Sequence, residues 1–462
     1  MKGFLALIEG KSVDTKKYDA LIVGAGLAGL KAARELKAAG KSFLLVEARD
    51  RVGGRSKPGE IAGQVVDFGG QWVGPQQKLL LAEAEEMGVE TYAQYVTGKS
   101  TVDIDGRIKR YTGDIPKLSW VSLLELGLIE KRWNHEMATL PAGAPWLAAR
   151  AKEWDAQTLE SWILRHAKTR HARDFARVVT RAVFCSEPSQ LSYLYFLDYL
   201  RQGQGINCLT GVTGGAQQDK FIGGAWQIPS RMADRVQDHL VLGAPVHYVI
   251  QGEDGVTTVT EKGTFSAERL IMAVPPALAG RIKYNQPLSA KRDGLMQRMP
   301  MGSVIKIHVA YERPFWRSAG LSGMAASTNR AFNVVFDQTA PGSDIGILVG
   351  FIDSLHAVEL SAYSLDQRRA GVVADLVHYF GAEAAHPIAY AENDWTADEW
   401  SRGCYAGTMT PGTLTGYGEA LRVPCGRIHW AGTETATEWT GYLNGALQSG
   451  IRAATEIAEA MS

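Results

Sequence analysis

The chain has little cysteine for its length. Cys185, Cys208, Cys404 and Cys425 are four residues in 462, far apart and outside any Cys-x-x-Cys or Cys/His spacing. Neither a disulfide framework nor a zinc site is indicated, and a reducing, cytoplasmic setting is expected. Net charge is absent as well, with 49 Lys+Arg against 49 Asp+Glu and no long basic block. Nucleic acid and anionic membranes both need concentrated positive charge, so a small-molecule ligand becomes the default partner. No window approaches ~18 uninterrupted apolar residues, which argues against a membrane span. The apolar stretch at residues 4–8 is interrupted by Glu9 and Lys11 before it reaches signal-peptide length, and reads as a short leader arm. No solenoid repeat is visible. What is plentiful is glycine, 50 of 462 residues, above the usual ~7% and without a Gly-X-Y period. At ~150 residues per domain the length suggests two or three domains or one interleaved pair. A chain of this size needs no covalent staple to build a core.

The first organised unit spans residues 18–55: an apolar strand at 19–23, the turn Gly24-x-Gly26-x-x-Gly29, a helical pattern, and a second strand at 43–46 that ends on Glu47. In such a turn the first glycine permits a tight bend, the second lets a pyrophosphate approach the backbone, and the third lets helix and strand pack closely. The phosphates then meet unsatisfied N–H groups at a helix N-terminus. Glu47, 18 residues after Gly29, can accept from both ribose hydroxyls, and an acid there disfavours a 2′-phosphate. Further along, residues 116–198 read as mostly helical, notably 151–167 and 173–184. The glycines of 211–224 are followed by a helix and by strand-like stretches at 246–259 and 269–274. Strands are expected at 304–311 and 345–352, a helix at 365–380, and a glycine-containing run at 400–450.

Several segments resemble one family. Glu47-Ala48-Arg49-Asp50-Arg51-Val52-Gly53-Gly54-Arg55 and the loop Asp67-Phe68-Gly69-Gly70-Gln71-Trp72 are similar to segments of the two-domain flavoprotein amine oxidases, where paired glycines and an arginine hold the FAD diphosphate and flavin. On its own residues, Arg55 is either a pyrophosphate counter-ion or a surface arginine. Lys220-Phe221-Ile222-Gly223-Gly224, the stretches 186–217 and 300–306, and above all 395–405 and 430–450 resemble the monoamine oxidases of that group. The likeness runs from about residue 18 to 456.

The resemblance implies an α/β fold (α+β overall), with a Rossmann-like FAD/NAD(P)-binding domain interleaved with a substrate-binding domain of mixed sheet and helices. The FAD domain would take residues 18–95, 225–300 and 395–460, and the substrate domain 96–224 and 301–394. It implies cofactor contacts at Gly24, Gly26, Gly29, Glu47, Arg49, Gly54, Arg55, Gly70, Gln71, Trp72, Val246, Trp395, Cys404, Thr433, Glu434, Tyr442 and Leu443. Cys404 matches the cysteine that is thioether-linked to the flavin 8α-methyl in monoamine oxidases, the alternative being an unlinked buried thiol. Tyr405 and Tyr442 match the rings that flank the amine, and Trp72, Gln217 and Phe351 match cavity-lining positions. Lys306 sits in Val304-Ile305-Lys306-Ile307-His308-Val309, where simple alternation puts it at the solvent face. The resemblance instead puts it beside flavin N5 through a water, with a part in reoxidation by O₂.

The implied enzyme takes a hydride equivalent from the α-C–H of a neutral amine, giving an imine and then an aldehyde, with H₂O₂ formed from O₂. The alternatives are a flavin amine dehydrogenase with a protein acceptor, an L-amino-acid oxidase, for which no arginine stands out as a carboxylate clamp, and a FAD-stabilised binding protein without catalysis, which the retention of Lys306, Tyr405 and Tyr442 together disfavours. Departures from the family pattern include Trp72 where a tyrosine is usual, Ala216 in place of a glycine, Arg402 at a glycine position and the small residues after Tyr405. They bear on cavity shape. The animal enzymes' C-terminal anchor helix has no counterpart here, so no membrane anchor is expected, and a homodimer is the assembly held open.

Overall fold

Alternating strands and helices from distant parts of the chain assemble into two large sheets. The computed structural model describes residues 13–113 and 118–461, so the expected leader arm at 4–8 lies outside the described residues. In the first sheet the strand Val13–Val23 runs parallel to Phe43–Val46 on one side and to Gly263–Met272 on the other. Leu240–Val241 extends the Phe43–Val46 edge, and Ile428–Trp430 adds in parallel to the far half of Gly263–Met272. The strands Val246–Gly252 and Gly255–Thr260 complete an antiparallel meander with Gly263–Met272.

The βαβ unit forms where its pattern puts it. After Val23 the chain turns at Gly24, whose φ of +102° suits glycine, and enters the helix Leu27–Ala38. Leu27, Leu30, Ala32, Ala33 and Leu36 are buried against the sheet and against the helix Leu443–Ala460; each buried leucine contributes about 2 kcal/mol of apolar transfer. Helix and strand approach so closely that a Cβ on Gly29 would lie 1.9 Å from the Gly24 carbonyl oxygen.

The second sheet has seven strands in the order Ala389–Asp394, Val304–Tyr311, Gly346–Asp353, Phe332–Asp337, Leu321–Ser327, Lys99–Ile104 and Arg107–Tyr111. Val304–Tyr311 and Gly346–Asp353 are buried along their whole length. One face of this pair packs against the helix Leu365–Phe380, and the other meets the hairpin Pro58–Ile61/Gln64–Asp67. Residue 306 therefore has no solvent face to occupy, and the alternation argument fails for it. A helical body, Trp120–Met137, Leu159–His166, Arg170–Phe184 and Tyr193–Gln202, closes the remaining side through one aromatic-rich core. The helix expected over 151–167 is two helices, Ala151–Asp155 and Leu159–His166. Thr158 caps the second one, and Asp155 is held by Ser192 at 2.5 Å and by the Thr415 amide at 2.8 Å. Among the described residues no helix is long and apolar enough to cross a membrane.

Candidate active site

A single cavity of about 1600 Å³ runs from the Gly24–Gly26 turn, past the 69–72 loop, to the helical body. That exceeds the ~300–1,000 Å³ of ordinary ligand pockets and leaves room for a dinucleotide and a small substrate. Every site residue expected from sequence lines it except Gly29 and Glu434. Gly29 serves the helix–strand contact described above. Glu434, fully buried, sits one layer back.

At one end the helices Leu27–Ala38 and Leu443–Ala460 both begin at the cavity wall, at Gly26 and Tyr442, without a side-chain cap or an acidic residue in the first turn. Uncapped N-termini of this kind favour an anion. A side chain on Gly26 would meet nothing within 4 Å and would project into the cradle. Glu47, buried at the end of its strand, accepts from the Ala25 amide at 2.7 Å and the Arg49 amide at 2.9 Å, one through each oxygen. Each oxygen keeps a further lone pair for a ribose hydroxyl. Val246 starts its strand at the same end. These residues fit the diphosphate and ribose of a dinucleotide.

Two arginines in this region are already paired. Arg49 meets Asp398 at 2.5 Å and Ser401 at 2.8 Å. Arg55 forms a two-pronged pair with Glu434, at 2.6 and 3.1 Å, and donates to the Tyr405 carbonyl at 2.8 Å. Burial opposes the Arg55 charge, but Glu434 outweighs it and holds the guanidinium above its ordinary range. Arg55 is thus neither a surface arginine nor an unpaired cation. Thr433 spends its hydroxyl on the turn beside it, accepting from the Gly441 amide at 2.8 Å and donating to the Tyr442 carbonyl at 2.9 Å.

In the middle of the cavity Lys306 is buried, donating to the Gly69 carbonyl at 2.8 Å and to Gln71 Oε1. Its Nζ lies 5.6 Å from the Trp72 ring centroid and 5.8 Å from that of Phe351. Burial pushes its ammonium well below the ordinary lysine range, with Asp67 pulling the other way; burial likewise raises the Asp67 carboxyl. Trp395 donates its indole N–H to the Phe68 carbonyl at 2.9 Å. Cys404 is buried beside Phe351 and Trp395, its thiol pushed up to about 12 by burial.

The far end is aromatic. Phe351 meets Tyr405 edge-on at 5.9 Å and Trp72 at 6.0 Å, and Tyr442 meets Trp439 at 5.1 Å and Tyr199 at 6.3 Å. Gln217 lines the same cavity. Buried polar residues at or behind the cavity wall that were not singled out from sequence include Asp67, Lys220, Gln338 and Asp353. Asp67 and Lys220 lie inside the two quoted motifs, which was the available signal; Gln338 and Asp353 sit at strand ends with no local motif. Asp353 is pushed up to about 7 by burial, with Asn333 donating to it at 3.1 Å.

A family model described as flavin containing amine oxidoreductase matches residues 27–458. The chain is 38% identical over 444 residues to a probable flavin-containing monoamine oxidase A of Dictyostelium discoideum, covering 95% of this chain and 97% of that one. Over 455 residues it is 36% identical to an L-amino acid dehydrogenase of a Synechocystis strain, covering 95% and 94%. Its fold superposes on cyclohexylamine oxidase from Brevibacterium oxydans with a TM-score of 0.93 at 31% identity, over 96% of this chain and 100% of that one. With a dinucleotide cradle, a buried lysine and an aromatic wall along one cavity, the chain belongs to the flavin-containing amine oxidoreductases.

Proposed function

We propose that the enzyme oxidises small, largely apolar monoamines with O₂ as acceptor. When bound, FAD supplies the two-electron acceptor for the amine α-C–H and passes the electrons on to O₂. The backbone at Gly24, Gly26 and Gly54 and the two helix N-termini hold its diphosphate, Glu47 its ribose, and Val246 the adenine end. Gly70, Gln71, Trp72, Lys306, Trp395, Cys404, Thr433 and Leu443 surround the flavin, with Arg49, Arg55 and Glu434 holding the loops that carry them. These segments, 18–95, 225–300 and 395–460, make up the FAD domain, and the remainder forms the substrate domain.

The observation that carries the substrate class is the aromatic wall. Phe351, Tyr405 and Tyr442 line the cavity with aromatic surface and exclude water, which lowers the pKa of an ammonium and favours the neutral form with a free lone pair. The arginines lining the cavity are Arg49, Arg55, Arg281 and Arg402. The first pair is engaged by Asp398 and Glu434, and the second is exposed. No buried lining arginine among the described residues is free to clamp an amino-acid carboxylate, which favours amines over L-amino acids. Lys306 holds a proton-exchanging amine beside the flavin, suited to handling the proton of O₂ reduction.

A panel of aryl-alkyl amines, cyclic and aliphatic monoamines, diamines and L-amino acids tests the reading through flavin bleaching and peroxide. Bleaching with peroxide by the monoamines is expected. Turnover of L-amino acids in their place would overturn the amine assignment, and bleaching without peroxide would overturn O₂ as the acceptor. We also propose that Cys404 carries the flavin as a thioether. Acid precipitation then leaves the yellow colour in the pellet, and in the supernatant for Cys404→Ala; colour in the supernatant of the parent protein would refute the link.

A further inference from the structure

Beneath the cavity floor a second buried lysine reaches Lys306 through two amides. Lys306 donates to Gln71 Oε1; Gln71 Nε2 donates to Gln338 Oε1 at 2.9 Å; Lys220 Nζ donates to the same Gln338 oxygen at 3.3 Å and to the Asp337 carbonyl at 3.1 Å. All four side chains are buried. The direction of every bond follows from what each group can do. A protonated lysine only donates, whereas a glutamine amide accepts at one end and donates at the other. Lys306 therefore needs the Gln71 oxygen, which turns the Gln71 NH₂ toward Gln338. Gln338 can meet that NH₂ only with its own oxygen, and the Lys220 ammonium on the far side holds that orientation. Without Lys220, Gln338 is free to turn by half a rotation, and Gln71 with it.

The same lysine braces the cavity wall. The Asp337 carbonyl that receives Lys220 also receives Gln94 Nε2 at 2.7 Å, and Gln94 Oε1 accepts the Trp72 indole N–H at 3.1 Å. Asp337 is itself fixed by its carboxylate, which takes Arg317 at 2.7 and 2.9 Å and Trp316 at 2.8 Å.

We propose that Lys220 is a positioning residue for Lys306 and Trp72: it locks the Gln338–Gln71 amide pair so that a carbonyl faces the Lys306 ammonium, and it adds a like charge behind it. The part concerning O₂ rests on the reading of Lys306 given above; the positioning itself does not. The charged and titratable groups facing Lys306 are Asp67 from the hairpin, Cys404, Lys220, and His308 on its own strand, while Lys220 faces Asp337, Arg317 and Asp67. Of the cations, Lys220 disfavours Lys306 protonation, in step with the lowered ammonium.

Two variants of the holoenzyme, Lys220→Met and Gln338→Leu, test this with lysine carbon-13 NMR titration, the Lys306 resonance being identified by its loss in Lys306→Met. Lys220→Met removes the like charge as well as releasing the amide pair, so its Lys306 midpoint is expected to lie above that of Gln338→Leu by about one pH unit. Gln338→Leu keeps the charge but releases the Gln71 amide, and is expected to lower it. In stopped flow, both slow flavin reoxidation about tenfold while flavin reduction by amine changes far less. An unchanged Lys306 midpoint in both variants, or equal slowing of the two half-reactions, overturns the proposal. Should Lys220→Met fail to fold, Gln338→Leu decides alone by the same criteria. The NMR midpoint is read without turnover, so a failure of the amine assignment leaves this test intact.

Discussion

At the level of single residues, the Arg55–Glu434 pair shows how this site tolerates charge. Glu434 is wholly buried, Arg55 partly so, and each is satisfied by the other plus a backbone group, the Tyr405 carbonyl for Arg55 and the Gly407 amide at 3.1 Å for Glu434. Removing one partner leaves the other uncompensated. Arg55→Met is expected to cost about 3–5 kcal/mol, and adding Glu434→Gln to it should cost less than the two single changes together. Urea denaturation of the double-mutant cycle checks both. Part of this was legible in the sequence: the motif at 47–55 singled out Arg55, and the run at 430–450 singled out Glu434. Their pairing was not, because 379 residues separate them and neither segment carries a local mark of the other. The alternation of Val304 to Val309 misplaced Lys306 for a related reason. Period two distinguishes two faces of a strand but not whether both are covered, and here a helix covers one face and a hairpin the other.

Among elements, the helix Leu27–Ala38 is the clearest case of local pattern setting structure. Its start follows from the glycine turn and its buried face from leucine and alanine spacing. Its N-terminus has been left without a cap, which is a cost in stability that a bound phosphate can offset. Gly26 has extended backbone, φ −74° and ψ 177°, as an N-cap aspartate requires. Gly26→Asp is thus expected to keep or slightly raise the melting temperature of the flavin-free protein, by up to about 1 kcal/mol of capping, while its carboxylate repels the diphosphate and abolishes flavin retention on gel filtration. Loss of both properties together would argue that Gly26 is needed for folding rather than for the cradle. Elsewhere the strands Lys99–Ile104, Arg107–Tyr111, Leu321–Ser327 and Phe332–Asp337 carried no strong signal. Arg107–Tyr111 is a polar edge, and Leu321–Ser327 is dominated by small residues. Such strands are specified by their neighbours more than by their own propensity.

For the molecule as a whole, the cavity gathers ionisable groups that burial holds away from their charged forms, and this enters the pH dependence of stability. Asp353 binds its proton more tightly folded than unfolded, being raised from 3.8 to about 7. Between those values the folded state holds more protons, so this group's effect is to lower stability as pH rises through that window, with no further change above it. Asp353→Asn cannot ionise, so its unfolding free energy relative to the parent, from urea denaturation, should climb between about pH 4 and pH 7 by an amount on the order of a few kcal/mol; a constant difference across that range would show that Asp353 does not titrate there. The first sheet carries a different consequence. Val13–Val23 is flanked by strands at 43–46 and 263–272, the latter is joined by 428–430, and the cavity is closed by Thr433, Tyr442 and Leu443. During synthesis the amino-terminal cradle emerges first, yet its far wall is some four hundred residues away along the chain. The nascent protein has no complete berth for its cofactor until the helix that begins at Leu443 has left the ribosome, so flavin loading waits on that helix, and the half-built cradle must be kept from aggregating in the meantime.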